Sequence, residues 1–457
     1  MGDVVGERRV NGLRQRAGWR RPAALVAAVA VVITAGTATG WAHASAAPAS
    51  VDRVTRLVDD DRAQCPEAGY TTIRSAIADS SDGDKVKVCA GLYPEGVLVD
   101  KRLDIEGEST ESGPWDCFAP ELPVDPARHP VVQAVDGMPS DALLTIEHDG
   151  VEVEGLVLRG ATGTSGSTVR PAAAINTSSV YSDLRLHRNL ITGNRIGVHL
   201  RSSGPARFDH NCLRANSWGV ANEFAPLVDA VIDANDTYLH LEYTFELTSG
   251  AEGVELRGNA SRGDRNPYMA DSTVGTVIAG NVVDGAQRGM RIFGGNTDLL
   301  ITGNRITSSN LVGIAIASFR NLGVPAESNV GSVVSENSIR GSFGNPGAGI
   351  GLADGGLKHG VVSHNVVENN VEGIVLRQGN TGNAVVANMA LTNRLDGIRA
   401  AAGATGNVVT DNVADGNGWF STATAYDLSD LAFTTNGNTW ARNVCDRDNP
   451  AGALCGT

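Results

Sequence analysis

Aromatic residues are scarce, at 5% of 457, and lysine occurs only four times, at Lys85, Lys87, Lys101 and Lys358. Basic residues (37) are outnumbered by 51 acidic ones, for a formal net charge of −14. A nucleic-acid binder needs a basic surface to displace phosphate counterions, so that class is excluded. No Cys-x-x-Cys occurs, which removes zinc ribbons and thioredoxin-type sites. No His-x-x-x-His pair occurs either, and with five methionines and scattered histidines there is no copper ligand set. Beyond Trp41 no long hydrophobic run is found, so the remainder is read as soluble.

What the chain has in abundance is glycine, 55 residues, without the strict triplet period of collagen. Hydrophobic content of 42% over this length supports a large core and excludes wholesale disorder. Glycine and asparagine without aromatics point to many tight turns between short strands.

Residues 1–44 hold six arginines, at 8, 9, 14, 16, 20 and 21, followed by an Ala- and Val-rich stretch from Pro22 to Trp41. Ala42-His43-Ala44 and Ala44-Ser45-Ala46 are small-x-small cleavage patterns, so 1–44 is read as a secretory signal peptide. An uncleaved anchor is the other reading, since the stretch approaches the ~20 residues that span a bilayer. Residues 45–60 are a linker. Six cysteines fit an oxidising compartment, and fifteen full pairings are open to them. Cys445 with Cys455 would close a short terminal loop, and Cys65 with Cys89 would brace the start of the domain. Cys117 and Cys212 are then left over, and their pairing stays open.

Self-similarity dominates the rest. Short apolar runs end at Asn189, Asn211, Asn235, Asn259, Asn281, Asn304, Asn337, Asn365, Asn388 and Asn412, mostly 22 to 24 residues apart. The two longer intervals hold insertions, around residues 319–329 and 343–349. Eight or nine residues after most of these asparagines comes Gly followed by apolar-x-apolar, as at Gly197, Gly219, Gly289, Gly313, Gly373 and Gly397, with Gly349 in a longer copy. One copy cannot bury its apolar face, whereas copies stacked in parallel about 4.8 Å apart bury a continuous column. Asn at each bend suits a left-handed backbone, and stacked Asn side chains can bond along the axis. The predicted fold is an all-β, single-stranded right-handed parallel β-helix solenoid with a short N-terminal capping helix. Residues 61–125 would form the N-terminal cap and first rungs, 126–425 the repeats, and 426–457 a C-terminal cap with a disulfide loop.

From about residue 60 to 457 the chain resembles the pectate-lyase-like superfamily of β-helices. In particular it is similar to secreted bacterial repeat proteins related to periplasmic nitrous-oxide-reductase maturation factors. Tyr70-Thr71-Thr72-Ile73-Arg74-Ser75-Ala76-Ile77 resembles their capping helix, and Asp82–Val88 with Gly91–Glu95 resembles the turn and first strand. The resemblance implies that the helix covers one exposed end and the Trp440–Cys455 loop the other. Signatures of specific chemistry on this fold are missing. Asn296-Thr297-Asp298 matches three residues of polygalacturonase-like hydrolases, but Leu299 and Leu300 follow, and the Asp-Pro-His of mannuronan epimerases is absent. Lyases of the fold use Lys or Arg as base, which here leaves arginine or Lys358.

Aligning the Gly-containing strands places outward side chains in two columns. One reads His199, Ala221, Glu246, Met269, Arg291, Ala315, Gly351, Val375, Arg399. The other reads Arg201, Glu223, Thr248, Asp271, Phe293, Ala317, Ala353, Arg377, Ala401. Two rungs, with Thr244 and Pro267 in place of Gly, leave the register there open by one residue. In this register Glu223, Glu246 and Asp271 fall on consecutive rungs beside Arg291, neighbours roughly 5–7 Å apart and the outer pair on the order of 10 Å. Such carboxylates suit glycoside hydrolysis, one protonating the leaving oxygen and another activating water or attacking. They would equally suit Ca²⁺, or form a solvated acidic stripe. Glu223, Glu246, Asp271 and Arg291 are the candidate catalytic residues, and His199, Arg201, Arg377 and Arg399 the candidate substrate-binding residues. The segment 261–268 is expected as a surface turn or a mobile sugar-binding loop. Two functions are consistent with these features. One is a secreted monomer that binds, or also cleaves, an extracellular polysaccharide, for which the arginines suit acidic sugars. The other is a non-catalytic cell-surface repeat protein that docks a protein or glycan.

Overall fold

The computed structural model describes residues 53–456 except 112, 136–141, 164–171, 319–326, 346 and 421–423. The predicted signal peptide, its cleavage sites and the first half of the predicted linker lie outside the described residues, as does most of the 319–329 insertion; the second half of that linker holds the strand Thr55–Val58.

Three parallel sheets of 15, 13 and 14 strands run along the molecule, and the chain visits each once per turn of a right-handed β-helix. The first sheet runs from Thr55–Val58 to Thr439–Ala441, the second from Gly91–Tyr93 to Val413–Asp415, and the third from Val97–Val99 to Asp448–Asn449. Strands of these sheets are two to five residues long because only one or two side chains per strand need point inward. Ile278, Ile301, Val334, Val362, Val385, Val409 and Trp440 pair successively and form one such inward file of the first sheet. Each fully buried Val or Ile contributes roughly 1.5–3 kcal/mol.

The asparagines stand in file as expected. The backbone N–H of Asn189 donates to Asn211 Oδ1 at 3.0 Å, that of Asn211 to Asn235 at 2.9 Å, and the series continues through Asn412 to Asn443. Each Nδ2 also donates to its neighbour, as from Asn235 to Asn259 Oδ1 at 2.9 Å. The left-handed backbone, however, belongs to the residue before each ladder Asn and not to the Asn: Arg188, His210, Ala234, Glu336, His364, Ala387 and Asp411 all have φ between 52° and 59°. That conformation is disfavoured for side-chain-bearing residues. The buried amide ladder next to it offsets the strain, so Gly is used there only at Gly258, Gly280 and Gly303.

The repeat glycines of the third sheet serve a different need. A Cβ on Gly289 would lie 2.6 Å from the Gly313 carbonyl and 2.7 Å from Ile306 Cγ2, and one on Gly197 2.6 Å from the Gly219 carbonyl. These glycines therefore face the core at a point where rungs approach closely. Pairing skips them, joining Ala173 to Ile196 and then Ile175 to Val198.

At the N-terminal end, the helix Ile73–Ala78 turns Ile73, Ala76 and Ile77 onto the first rungs. Thr72 Oγ1 accepts from the Ser75 N–H, and Glu95 carries the Ile73 and Arg74 N–H groups at 2.7 and 3.2 Å. The disulfides are Cys65–Cys89, Cys117–Cys212 and Cys445–Cys455. The second of these ties the segment around Cys117 across the second sheet. Among the described residues no helix is long and apolar enough to cross a membrane.

Candidate active site

The outer face of the third sheet carries the charged side chains. Its register confirms the first column: His199, Ala221, Glu246, Met269, Arg291, Ala315, Gly351, Val375 and Arg399 pair one to the next, including the two rungs without Gly. The second column leaves the sheet at its edge, where Phe293, Ala317 and Arg377 still bond to the preceding rung.

Glu246, on the strand Tyr243–Leu247, is half-buried, and its carboxyl is pushed up to about 7. Burial is the main cause, with the negative charges of Glu223 and Asp271 acting in the same direction. The Trp218 indole beside it favours the charged form and partly opposes the rise. Glu223 sits at the corner after its strand with φ +41°, and burial raises its pKa while Arg201 and Arg195 pull it back. Asp271 is 4% exposed, and Ser272 Oγ donates to its Oδ1 at 2.8 Å. The three carboxylates predicted from the repeat thus share one electrostatic neighbourhood.

His199 is fully buried on the adjoining rung. Its Nδ1 lies 2.8 Å from Asn176 Oδ1, and its Nε2 lies 3.4 Å from Glu223 Oε2. Burial, aided by Arg201, lowers its pKa to about 4, so the ring is neutral at pH 7. Arg201 Nη1 donates to the Ser178 carbonyl at 3.1 Å. Arg291 Nη1 donates to Tyr243 Oη at 2.6 Å, and its guanidinium covers the Phe293 ring at 4.5 Å. Arg377 and Arg399 lie several rungs away and do not join this group. Arg399 instead pairs with Glu372 at 2.5 Å and reaches Asp396 at 3.5 Å. Asp396 is raised to about 6, chiefly by burial.

Two expectations need correction. The segment 261–268 is neither a mobile loop nor a surface turn. Ser261, Asp264, Asn266 and Tyr268 are buried, and Asp264 accepts from Thr237 Oγ1 at 2.6 Å, Ser261 Oγ at 2.7 Å and the His240 N–H at 2.7 Å. Tyr268 points inward against Phe245, ring centroids 5.3 Å apart. The Ca²⁺ reading is not carried by these carboxylates as a cluster. Among the described residues, Glu223, Glu246 and Asp271 do not bring three ligand oxygens within 4.8 Å of one another. The Asn-Thr-Asp match is structural as well, since Asn296 is a buried ladder residue bonded to Thr273 and Asn329.

A third outward column escaped the two-column alignment. It comprises the residues just before the repeat glycines, or before Thr244 and Pro267 where these replace the Gly: Ile196, Trp218, Tyr243, Asn266, Arg288, Val312, Ala348 and Glu372. Strict alternation would put these inside, but the inward-turned Gly shifts the parity by one. Trp218 packs with Tyr243, Met269 and Phe293 in an apolar strip separate from the core, beside the carboxylates. The only sequence signal for this column is the Gly itself, read as a bulge instead of a strand residue.

A family profile described as a right handed beta helix region matches residues 229–414. No curated protein matches the chain. Among solved structures, DFA-IIIase from Arthrobacter chlorophenolicus is 13% identical with a TM-score of 0.50, over 85% of this chain and 98% of that one. The N-terminal fragment of gene product 12 from bacteriophage Phi29 is 12% identical with a TM-score of 0.52, over 81% and 67%. At such identities the likeness is one of fold.

Proposed function

We propose that the protein binds a glycan along the outer face of the third sheet and hydrolyses a glycosidic bond at Glu246. The observation that carries this reading is a carboxyl held near 7, with two further carboxylates on the neighbouring rungs and an indole against it. A carboxyl that keeps its proton at neutral pH is suited to general acid work. Glu246 donates its proton to the bridging oxygen as the anomeric carbon–oxygen bond breaks, and the bonding pair leaves with that oxygen. Water adds to the anomeric carbon and gives its proton to Asp271, which Ser272 holds in orientation. Glu223, facing neutral His199 and flanked by Arg201, keeps negative charge near Glu246 and so keeps it protonated. Trp218 offers an apolar surface on which a sugar ring stacks.

Three disulfides and the Arg-rich, Ala-rich leader support an exported protein acting on an extracellular glycan. The fold shared with DFA-IIIase is compatible with this reading. The test is a reducing-end assay of the purified protein against inulin, xylan, β-glucan, alginate and polygalacturonate. At least one polymer should be cut by wild type, and Glu246→Gln and Asp271→Asn should each lose about two orders of magnitude or more in kcat. Wild-type rates in both variants would refute the assignment.

A further inference from the structure

Six rungs separate Glu246 from Arg399 along the same column, about 29 Å at ~4.8 Å per rung. Beyond Met269 and Arg291 the floor is made of small side chains, Ala315, Gly351, Ala348 and Val375. At its far edge three aromatic rings stand in solvent: Phe343 is 45% exposed, Trp419 53% and Phe420 72%. Neighbouring groups position them. The Trp419 indole donates to the Thr392 carbonyl at 3.0 Å, and the Phe420 N–H to the Arg394 carbonyl at 3.1 Å. Trp419 and Phe420 meet edge to face with centroids 6.3 Å apart. The Arg394 guanidinium lies 4.6 Å from the Phe343 ring and 6.0 Å from that of Trp419. Arg394 is two residues before Asp396, which with Glu372 and Arg399 forms the ion-paired group at this end of the face. Phe343, Arg394, Trp419 and Phe420 all lie in the turns that lead from the second sheet into the third, and so border the edge of the proposed glycan face.

We infer that Phe343, Trp419, Phe420 and Arg394 form a distal sugar-binding platform that holds a polymer some 29 Å from the bond being cut. This rests on the proposed reading of Glu246. Exposed aromatic rings stack on the C–H faces of sugar rings, while Arg394, Glu372 and Asp396 supply hydrogen bonds to hydroxyls. A protein partner fits less well. Three partly exposed rings offer roughly 300 Å², against the ~800 Å² per side of a stable protein interface. The platform is continuous with the proposed glycan face, and a chain lying along that face reaches it only if it is long. Short oligosaccharides bound at Glu246 do not.

The test uses the full-length exported protein with Phe420→Ala and, separately, Trp419→Ala, each checked for native circular dichroism. In affinity electrophoresis through gels cast with the same five polymers, wild type should be retarded by at least one. Each variant should bind that polymer roughly fivefold to tenfold more weakly, and Glu246→Gln should bind it as wild type does. In turnover assays the variants should raise KM for the polymer while leaving kcat and all kinetics on its short oligosaccharides unchanged. Unchanged polymer affinity in both variants, or equal losses on short and long substrates, would overturn the platform. Wild type that cuts a polymer with platform variants unaffected defeats the platform and leaves Glu246 standing. Platform-dependent retention with no product formed defeats the Glu246 reading and leaves the platform.

Discussion

Replacing Glu246 by Gln should stabilise the protein above neutral pH while removing its activity. The carboxyl sits at about 7 in the folded chain against an ordinary 4.5. Its folded value is the higher one, so between these limits the native state holds the proton that the unfolded state has already released. Stability therefore falls as pH rises through this window, and the loss is complete above about pH 7. At about 1.36 kcal/mol per tenfold change in proton affinity, the interval is worth on the order of 3 kcal/mol. Solvent reaching the half-buried head group trims this to about 2 kcal/mol. Gln carries no charge to desolvate. The variant should match wild type at pH 4.5 and exceed it by about 2 kcal/mol at pH 8.5. Urea unfolding at the two pH values measures both quantities. Equal stabilities at pH 8.5, or a gain of the same size at pH 4.5, would show that burial and the flanking carboxylates do not hold the proton.

Removing the indole with Trp218→Phe leaves Glu246 harder to ionise, so the alkaline limb of the pH–rate profile should move upward; a fixed limb would deny the contact. Asn259→Ala takes the acceptor from the Asn235 N–H and Nδ2 and the donor from the Ile232 carbonyl. It should cost about 4 kcal/mol in denaturant titration, and a loss below about 1 kcal/mol would show that the ladder is ornamental. Gly289→Ala should destabilise by about 2–3 kcal/mol through steric overlap with the next rung. Gly280→Ala meets nothing within 4 Å and should lose only about 1–2 kcal/mol, through its φ of +63°. Equal melting temperatures for the two variants would contradict this distinction.

The rung register could be read from the sequence because every copy carries the ladder Asn and most also carry the Gly, and each marker has a physical reason to recur. A buried amide must bond to an identical amide above it, and a glycine is required where two rungs nearly touch. That is why Glu223, Glu246 and Asp271 could be placed together although up to 48 residues separate them. The same periodic logic misled at residues 261–268. Charge and an aromatic suggest a loop, but His240 and Asp264 satisfy each other inside the turn, Nδ1 to Oδ1 at 2.9 Å. It also missed the Trp218 column, since alternation cannot register a glycine that turns inward.

The repeat by itself determined the coil, the stacking axis and which residues share a file, because those follow from local backbone chemistry repeated at a fixed interval. Tertiary structure alone decided which outward positions are dry. Burial of Glu246, the neutrality of His199 and the solvent-exposed rings at 343, 419 and 420 depend on what neighbouring rungs and corners place beside them. The cost of holding a charge depends on how much water surrounds it, and no linear pattern of residues specifies that quantity.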